Sequence, residues 1–494
     1  MKECKLIIKD EVNVKLEGLD LGDRKTLMKM FEFEVPGARF LPSVKLGRWN
    51  GKTSYFSLGG STFVNLLPEI LPLLDQAGYD IQLEDLRTYS TTFNFEKVTE
   101  ETFKHKVWPA KHPAAGQPVV LRDYQIEIIN NFLANPQSIQ EVATGAGKTL
   151  TTAALSLSIE EYGRSIVVVP NKDLVRQTEA DYINLGLDVG VYFGDRKEIG
   201  KTHTICTWQS LNNMFKKTQA GEAEISITDF IEDVVCVIVD EVHMAKADAL
   251  KTLLTGVFSH IPIRWGLTGT VPKAKFEFMS LFVSLGSVIG KLSASELQER
   301  GVLAQCHVNI VQLKDDVEFS NYQSELKYLT ENSQRLDAIA NLINKIKDGG
   351  NTLILVDRIG AGKEIQRRLT DLFGGIKDAP EVAFVSGETN LNERKENYDE
   401  IATSTNKVII ATYGVAAVGI NIPRIFNLVL LEPGKSFVRV IQSIGRGIRK
   451  AEDKDHVEIW DITSSCKFAK RHLTQRKAFY KEANYPFTLE KLDY

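Results

Sequence analysis

Short β-branched or apolar runs, each followed by a polar loop and a helix-length segment, constrain the fold of this 494-residue chain more than any other feature. The runs form two successive series after Val119. The first contains Ser165–Val169, Thr204–Thr207, Val234–Val239 and Trp265–Leu267, and the second contains Thr352–Val356, Val382–Val385, Val408–Ala411, Leu428–Leu431 and Val457–Trp460. Such alternation is typical of buried parallel sheets with helices on both faces. The sequence therefore predicts an α/β protein with two parallel-sheet lobes in tandem.

The residues before this region predict a small α/β module. Lys5–Leu16 alternates as a strand does, and Asp23 is expected to cap a helix. Lys45–Leu58 predicts a hairpin that turns at Asn50-Gly51. The predicted domains are an N-terminal module (1–108), a turn-rich linker (109–118), a first lobe (119–290), a second lobe (291–463) and a helical tail (464–494). Ser293 and Glu296 predict a capping box between the lobes.

Composition indicates the class of protein and the compartment in which it is expected. With 43% hydrophobic and 25% charged residues, the chain is typical of a folded globular protein. No apolar run approaches the ~20 residues of a membrane span, and no signal peptide is recognisable. Five scattered cysteines favour a reduced, cytoplasmic protein with buried thiols. The net charge of −4 does not exclude nucleic acid as a partner, because binding needs only a local basic stripe on the surface.

The segment Ala143-Thr-Gly-Ala-Gly-Lys-Thr149 predicts a phosphate-binding loop. Its glycines allow backbone N–H groups to approach a phosphate at the start of a helix. Lys148 supplies a charge for the phosphates, and the Thr149 hydroxyl can bind Mg²⁺. The residues expected around ATP here are Thr144, Gly145, Ala146, Gly147, Lys148 and Thr149. A chance glycine-rich turn is the alternative, since Val142 stands where the first glycine of the general motif would be.

Two adjacent carboxylates, Asp240 and Glu241, follow the buried strand Val234–Val239. Burying both would be costly without a cation. Asp240 is expected to hold Mg²⁺ and Glu241 to polarise the attacking water. A solvated acidic turn is the alternative, but a phosphate loop and an acidic strand end about ninety residues apart are together more specific than either alone.

Asp240-Glu-Val-His243 and the phosphate loop together resemble the superfamily 2 DExH-box helicases, whose form of the loop accounts for Val142. The resemblance implies two RecA-like lobes, ATP and Mg²⁺ as cofactors, and a coupling role for His243, Thr268 and Thr270. Gln125 would read adenine with support from Arg122, unless it lies on the exposed face of a helix. Pro170, Asn171, Thr207 and Thr412 would hold nucleic-acid phosphates, although such residues at strand ends are also common in turns.

The second lobe carries two further motifs of the same family. Gly419 and Asn421, in the segment 410–423, would face the nucleotide. The segment 442–449 matches the family's Gln-x-x-Gly-Arg-x-x-Arg motif, in which Gln442, Arg446 and Arg449 would be catalytic. Arginines three apart share one helix face, so both can reach a γ-phosphate. A solvated basic face is the alternative, and the flanking glycines disfavour it.

The N-terminal module contains a basic segment, because no acidic residue occurs from Val35 to Pro68. Arg39, Lys45, Arg48 and Lys52 alternate with aromatic residues that include Trp49. Such a segment can bind a duplex backbone or stack on an unpaired base. Trp49 can equally pack under the Asn50-Gly51 turn. The basic residues of the tail are expected to form a solvated helix face.

With Trp49-Asn-Gly-Lys52 near the N-terminus and a Tyr-Pro-Phe segment at 485–487, the whole chain resembles the recombination helicases of T-even bacteriophages. This implies an ATP-dependent DNA helicase or translocase that unwinds and remodels branched DNA in recombination, repair and replication. Its reactions would be fork regression and Holliday-junction branch migration. The implied partners are single-stranded and branched duplex DNA, with single-strand-binding or recombination proteins as candidates, in the host cytoplasm. A translocase or RNA helicase without branched-DNA preference shares every motif. A nucleic-acid-binding scaffold with a degenerate site would have lost Lys148, Glu241 or Arg446, and all three are present.

Overall fold

A computed structural model describes residues 2–87, 92–110, 112, 114–241, 247–416, 424–434, 444–445 and 447–494. The chain forms two compact units. One contains residues 1–142 and 147–291, and the other contains residues 143–146 and 292–494. The boundaries predicted for the linker and the two lobes stay predictions.

The N-terminal part of the first unit has six strands and three helices. The strands are β1 (Lys2–Ile8), β2 (Asn13–Glu17), β3 (Glu32–Glu34), β4 (Lys52–Ser54), β5 (Ser61–Phe63) and β6 (Tyr79–Asp85), and the helices are α1 (Leu21–Met30), α2 (Pro42–Lys45) and α3 (Leu67–Gln76). Four of the strands form a sheet in the order β5-β2-β1-β6, in which β1 and β6 are parallel. Strands β3 and β4 form a separate antiparallel ribbon.

Three local predictions for this module are wrong. Lys5–Leu16 is not one strand, because it spans the end of β1, a turn and most of β2, and the two strands pair antiparallel. Lys45–Leu58 is not a hairpin, because α2 covers Pro42–Lys45 and β4 pairs with β3, which lies about twenty residues earlier. Asp23 does not cap α1, whose N-cap position is Asp20. The Asp23 carboxylate instead accepts a hydrogen bond from the Tyr79 hydroxyl at 2.6 Å.

The N-terminal module shares a hydrophobic core with the rest of the first unit. Buried Tyr55 packs with Phe276 and Val283, and its hydroxyl donates to the carbonyl oxygen of Phe276 at 3.0 Å. The amide of Glu11 donates to the carbonyl oxygen of Ser259 at 3.0 Å. The module is therefore part of one folded body with the first lobe.

The first lobe is built on an eight-stranded sheet in the order β10-β9-β11-β8-β12-β13-β7-β14. Its strands are β7 (Gln137–Val142), β8 (Arg164–Val169), β9 (Val189–Phe193), β10 (Arg196–Lys197), β11 (His203–Thr207), β12 (Val234–Asp240), β13 (Ile263–Thr268) and β14 (Ser287–Leu292). The helices are α4 (Asp123–Ala134), α5 (Lys148–Ile159), α6 (Lys172–Asn184), α7 (Trp208–Ala220), α8 (Ile227–Phe230), α9 (Ala247–Thr255) and α10 (Lys275–Leu285). From β9 to β7 the neighbouring strands are parallel, as predicted.

The second unit contains a seven-stranded, fully parallel sheet in the order β17-β18-β16-β19-β20-β15-β21. Its strands are β15 (Gln305–Leu313), β16 (Thr352–Val356), β17 (Glu381–Val385), β18 (Lys407–Thr412), β19 (Asn427–Leu431), β20 (His456–Ser464) and β21 (Phe487–Leu492). The helices are α11 (Ala294–Glu299), α12 (Tyr322–Glu331), α13 (Ser333–Ile346), α14 (Ile359–Phe373), α15 (Leu391–Thr403), α16 (Tyr413–Ala416) and α17 (Lys467–Glu482). Single 3-10 turns lie at Ala38–Phe40, Val64–Leu66, Glu160–Tyr162 and Lys347–Gly349.

Several expectations from the sequence are confirmed. Every strand predicted in the two series is present, and parallel sheets underlie both lobes. The Ser293–Glu296 capping box begins α11. All five cysteines are free and buried. No helix in the described part of the chain is long and apolar enough to cross a bilayer.

The C-terminal tail is helical in α17, and it then adds β21 to the sheet beside β15. Arg476 was predicted on a solvated face, and this is wrong because its side chain is buried. Its guanidinium forms a bidentate ion pair with buried Asp461, with nitrogen–oxygen distances of 2.8 and 2.9 Å. Asp461 lies on β20, and its ion pair with Arg476 offsets the cost of burying the guanidinium charge inside the unit.

Candidate active site

The predicted motifs of the first lobe meet at one edge of its sheet. Strands β11, β8, β12, β13 and β7 are successive neighbours, and parallel strands present their carboxyl ends at the same edge. Each of these ends leads into a predicted motif. The five motifs begin at Thr207, Pro170, Asp240, Thr268 and Ala143. Ligands of open α/β sheets commonly bind outside these ends.

The phosphate loop connects β7 to α5, and two of its glycines have positive φ. The φ angles of Gly145 and Gly147 are +93° and +81°, in the left-handed region that favours glycine. A Cβ atom on Gly147 would lie 2.6 Å from Nε2 of Gln125. The loop therefore needs glycine at 147 for its backbone angle and for its contact with Gln125.

Gln125 links α4 to the phosphate loop. Its Oε1 accepts a hydrogen bond from the Arg122 amide at 3.0 Å, and its Nε2 donates to the Gly147 carbonyl oxygen at 3.4 Å. The side chain is buried, so the exposed-face alternative is wrong. The Arg122 guanidinium donates to the Tyr124 hydroxyl at 2.7 Å. The structure thus places Gln125 beneath the loop, where it supports the conformation of Gly147.

Lys148, the first residue of α5, points to the acidic end of β12. Its Nζ lies 2.9 Å from Oε1 of Glu241, and both side chains are about nine-tenths buried. The ammonium also donates to the Val142 carbonyl oxygen at 3.2 Å. The second carboxylate oxygen of Glu241 accepts the Gly269 amide at 3.3 Å. Three motifs that are distant in sequence are thereby joined at one carboxylate.

Glu241 has a φ of +51°, which is uncommon for a residue with a side chain. Asp240, just before it, is buried, and its carboxylate accepts the Glu241 amide at 2.8 Å. Burial and the neighbouring Glu241 charge raise the pKa of Asp240 well above its usual range, while Lys148 acts in the opposite direction. Strained backbone and a perturbed carboxyl often mark functional sites.

The donor groups of this edge suit Mg²⁺ bound together with a nucleotide. Mg²⁺ in such sites usually takes one or two protein oxygens and fills its other positions with phosphate and water. Thr149 supplies a hydroxyl and Asp240 a buried carboxylate whose charge a cation would stabilise. The Thr149 hydroxyl donates to the carboxylate of Asp181 on α6. Asp181 was missed by the sequence reasoning, because an aspartate within a helix carries no motif.

Thr268 and Thr270 form a compact turn after β13. The Thr268 hydroxyl donates to the Thr270 carbonyl oxygen at 2.7 Å and accepts the Thr270 amide at 3.2 Å. Gly269, between them, is the residue that donates to Glu241. The turn therefore holds a backbone N–H group against the acidic motif.

The predicted phosphate-binding residues of the first lobe lie at helix starts. Asn171 caps α6 by accepting the Leu174 amide at 3.1 Å, and Thr207 caps α7 by accepting the Ser210 amide at 3.3 Å. The Pro170 carbonyl oxygen accepts a hydrogen bond from Gln209 at 3.3 Å. The Asn171 and Thr207 side chains thus fix the N-termini of α6 and α7, whose first N–H groups can bind anions.

In the second unit, Thr412 ends β18 and Arg449 follows a short helical segment. Five predicted site residues lie outside the described part of the chain: His243, Gly419, Asn421, Gln442 and Arg446. The described end of the last motif is closely packed. A Cβ atom on Gly447 would lie 2.8 Å from Cδ2 of Leu428, so glycine is needed where this segment approaches β19.

The N-terminal basic segment exposes Arg39, Lys45 and Arg48. Phe40 and Leu46 are 64% and 65% exposed, which is unusual for large apolar side chains. Sequence reasoning had not singled out Leu46. The structure favours turn packing for Trp49, whose indole N–H donates to the Lys52 carbonyl oxygen at 2.8 Å. The Lys52 ammonium lies 3.7 Å from Glu32.

Comparison with known protein families gives two matches in series. The family described as "Type III restriction enzyme, res subunit" matches residues 118–273, and the "Helicase conserved C-terminal domain" matches residues 334–451. The matches cover the phosphate loop, the acidic motif and the last arginine motif in their expected order. The chain belongs to the superfamily 2 helicases.

Relatives of this superfamily 2 helicase are distant in sequence. It is 24% identical over 479 residues to the ATP-dependent DNA helicase uvsW of Enterobacteria phage T4, covering 93% of this chain and 90% of that protein. It is 23% identical over 385 residues to the DNA 3'-5' helicase XPB of Kineococcus radiotolerans, covering 76% of this chain and 65% of the relative.

The helicase fold is also found in a solved structure. A fragment of a putative HsdR subunit of a type I restriction enzyme from Vibrio vulnificus aligns with 75% of this chain and 68% of its own. The TM-score is 0.57 at 20% sequence identity, so the two proteins are similar in fold.

Proposed function

We propose that this superfamily 2 helicase is an ATP-dependent DNA motor that unwinds and remodels branched DNA in recombination, repair and replication. Its reactions would be fork regression and Holliday-junction branch migration. The observation that carries its ATPase activity is the contact of Lys148, Glu241 and Gly269 at the carboxyl edge of the first sheet.

Each residue of that edge has a role in ATP hydrolysis. Lys148 would place its charge on the β- and γ-phosphates, and Thr149 and Asp240 would hold Mg²⁺. Bound Mg²⁺ would neutralise phosphate charge as it builds up. Glu241 would orient the attacking water and accept its proton, with the Gly269 amide fixing the carboxylate.

The remaining predicted residues complete the nucleotide site and its coupling. Arg122 and Gln125 would contact adenine, and Gly419 and Asn421 would face the nucleotide. Gln442, Arg446 and Arg449 would stabilise charge on the γ-phosphate. His243, Thr268 and Thr270 would couple hydrolysis to the grip on nucleic acid. Pro170, Asn171, Thr207 and Thr412 would bind phosphates, which suits a motor that must run over any sequence.

Two observations support DNA, and branched DNA, as the substrate. The similarity to the ATP-dependent DNA helicase uvsW covers 93% of this chain and so extends into the N-terminal module. In that module, Arg39, Lys45 and Arg48 lie beside exposed Phe40 and Leu46. Cations would bind duplex phosphates, and an exposed aromatic ring can stack on a base that a junction leaves unpaired. Single-strand-binding or recombination proteins are candidate partners.

The test compares the full-length protein on forked DNA, four-way junctions, linear duplex, single-stranded DNA and structured RNA. We expect ATP hydrolysis and strand rearrangement on forks and four-way junctions at protein concentrations that leave linear duplex intact. ATP-driven movement on all DNA substrates at equal rates would favour a translocase without branched-DNA preference. Unwinding of RNA alone would favour an RNA helicase. Absence of hydrolysis on every substrate would contradict the ATPase assignment.

A further inference from the structure

Lys454 is a buried lysine whose described hydrogen-bond partners are peptide carbonyl oxygens. Its side chain is 2% exposed, in the turn that connects the last arginine motif to β20. Its Nζ lies 2.6 Å from the Gly447 carbonyl oxygen and 2.7 Å from that of Arg449. A buried ammonium without ordered acceptors would be costly, so these two contacts account for its position.

The two carbonyl groups belong to the end of the segment that carries Arg449. The Ile448 amide donates to the Ile444 carbonyl oxygen at 3.0 Å, as in a helical turn, and the chain then leaves the helix. Carbonyl groups at a helix end lack partners within the helix. Lys454 satisfies two of them with its N–H donors.

The backbone of Arg449 and its neighbour Ile448 is also held by the residues that precede β15. The Ala304 amide donates to the Ile448 carbonyl oxygen at 2.7 Å, and Leu303 pairs with Arg449 in an antiparallel bridge. Gly447 meanwhile packs against Leu428. The segment thus packs against β19, and its backbone groups are hydrogen-bonded to the residues before β15 and to Lys454.

We infer that Lys454 is a positioning residue for ATP hydrolysis, which fixes the backbone at Gly447 and Arg449 so that the Arg449 guanidinium is directed towards the γ-phosphate. This inference rests on the role proposed for Arg449. Misplacing a charged group by about 1 Å can reduce a rate by about a hundredfold. The contribution of Lys454 is geometric, because both carbonyl contacts need only N–H donors.

The test is a double-mutant cycle in the full-length protein with saturating DNA. The variants are Lys454→Met, Lys454→Gln, Arg449→Ala and the double variants, with Lys450→Met as control. Lys450 is exposed, and its ammonium also donates to a carbonyl oxygen, that of Gly301, at 3.2 Å. Circular dichroism checks folding, and kcat, the KM for ATP and the Kd for single-stranded DNA are measured for each.

We expect Lys454→Met to lower kcat by about 10- to 100-fold, with KM and Kd changed by less than about threefold. Lys450→Met should behave as the wild type. Combining Lys454→Met with Arg449→Ala should cost no more than Arg449→Ala alone, because both changes remove the same function. Lys454→Gln, which retains an N–H donor, should keep part of the rate and serves in the cycle if Lys454→Met does not fold.

A wild-type kcat in a folded Lys454 variant, or additive losses in the double variant, would overturn the inference. Unfolding of both Lys454 variants would also overturn it, since the residue would then support the whole unit. If Arg449→Ala keeps wild-type turnover, the role proposed for Arg449 fails and the inference fails with it, while the function of Lys148 and Glu241 is unaffected.

Discussion

Lys148 and Glu241 form a largely buried ion pair, with 2.9 Å between Nζ and Oε1. The pair joins the start of α5 to the end of β12, which are about ninety residues apart in sequence. It brings the residue proposed to bind phosphate into direct contact with the proposed general base. Substituting Lys148 and Glu241 one at a time therefore tests phosphate binding and general-base catalysis separately.

Replacing Lys148 with Ala should abolish DNA-stimulated ATP hydrolysis and leave DNA binding largely intact. The ammonium is the charge placed for the phosphates, whereas the predicted strand-binding residues lie on other loops. Steady-state ATPase assays and fluorescence anisotropy with single-stranded DNA measure the two properties. Lys217→Ala, on the exposed surface of α7, is the control. Near-normal turnover in a folded Lys148→Ala protein would contradict the site assignment.

Glu241→Gln should bind ATP but hydrolyse it about a hundredfold more slowly or worse, the usual scale for loss of a general base. The amide keeps the size of the side chain and can still accept the Gly269 N–H group. Nucleotide binding and single-turnover hydrolysis distinguish the two effects. Glu232→Gln, exposed just before the other end of β12, is a matched control. Weakened nucleotide binding with unchanged hydrolysis would instead make Glu241 a structural residue.

Neutralising Arg39, Lys45 and Arg48 should weaken fork binding and flatten its salt dependence, because each phosphate that is no longer neutralised removes roughly one unit of log–log slope. Lys52 should contribute less, because its ammonium lies 3.7 Å from Glu32. Phe40→Ala should reduce affinity for forks and four-way junctions without changing that slope. Affinities across a salt series measure both effects.

The control for this surface is Lys25→Ala with Lys29→Ala, two exposed cations on α1. Full-length protein is required, because removing the module would uncover the core that it shares with Phe276 and Val283. Equal losses on forks, four-way junctions and single strands, or no loss, would show that the module acts as a structural brace.

Arg476→Leu should destabilise the second unit by about 3–5 kcal/mol, because it leaves Asp461 buried without its cation. Lys470→Met on the exposed face of α17 should change stability little. Urea unfolding followed by circular dichroism measures both. Equal unfolding midpoints for wild type and Arg476→Leu would show that the buried pair is energetically neutral.

Lys454 should make stability depend on pH. Burial and the nearby Arg449 charge lower its pKa to about 7, while Asp453 acts in the opposite direction. The unfolded chain, with an ordinary lysine pKa near 10.5, therefore binds more protons between these values. Stability should rise as pH increases from about 7 towards 10.5 and should be lowest below 7. Thermal unfolding of wild type and Lys454→Met across this range should show that stability rises more steeply with pH in the wild type than in the variant.

The parallel sheets and the motifs at their strand ends were predictable, because buried strands are continuous apolar runs and phosphate chemistry needs few residue types. The pairing of strands that are distant in sequence was not predictable. Lys52–Ser54 pairs with Glu32–Glu34 rather than with its own neighbours, and the mostly exposed Phe487–Leu492 shows no burial pattern before it joins β15. Arg476 and Lys454 resemble surface residues until their partners are known, because burial of a charge depends on tertiary contacts.

The hydrogen bond from Tyr55 to Phe276 spans 221 residues of sequence, which affects how the protein can fold during its own synthesis. Ribosomes add about 5–20 residues per second, so roughly 10–40 s pass between the emergence of these two residues. Throughout that interval the apolar side of the N-terminal module lacks the helix that covers it. Nascent chains should therefore depend on chaperones until α10 has emerged, and slower translation before residue 276 should increase aggregation.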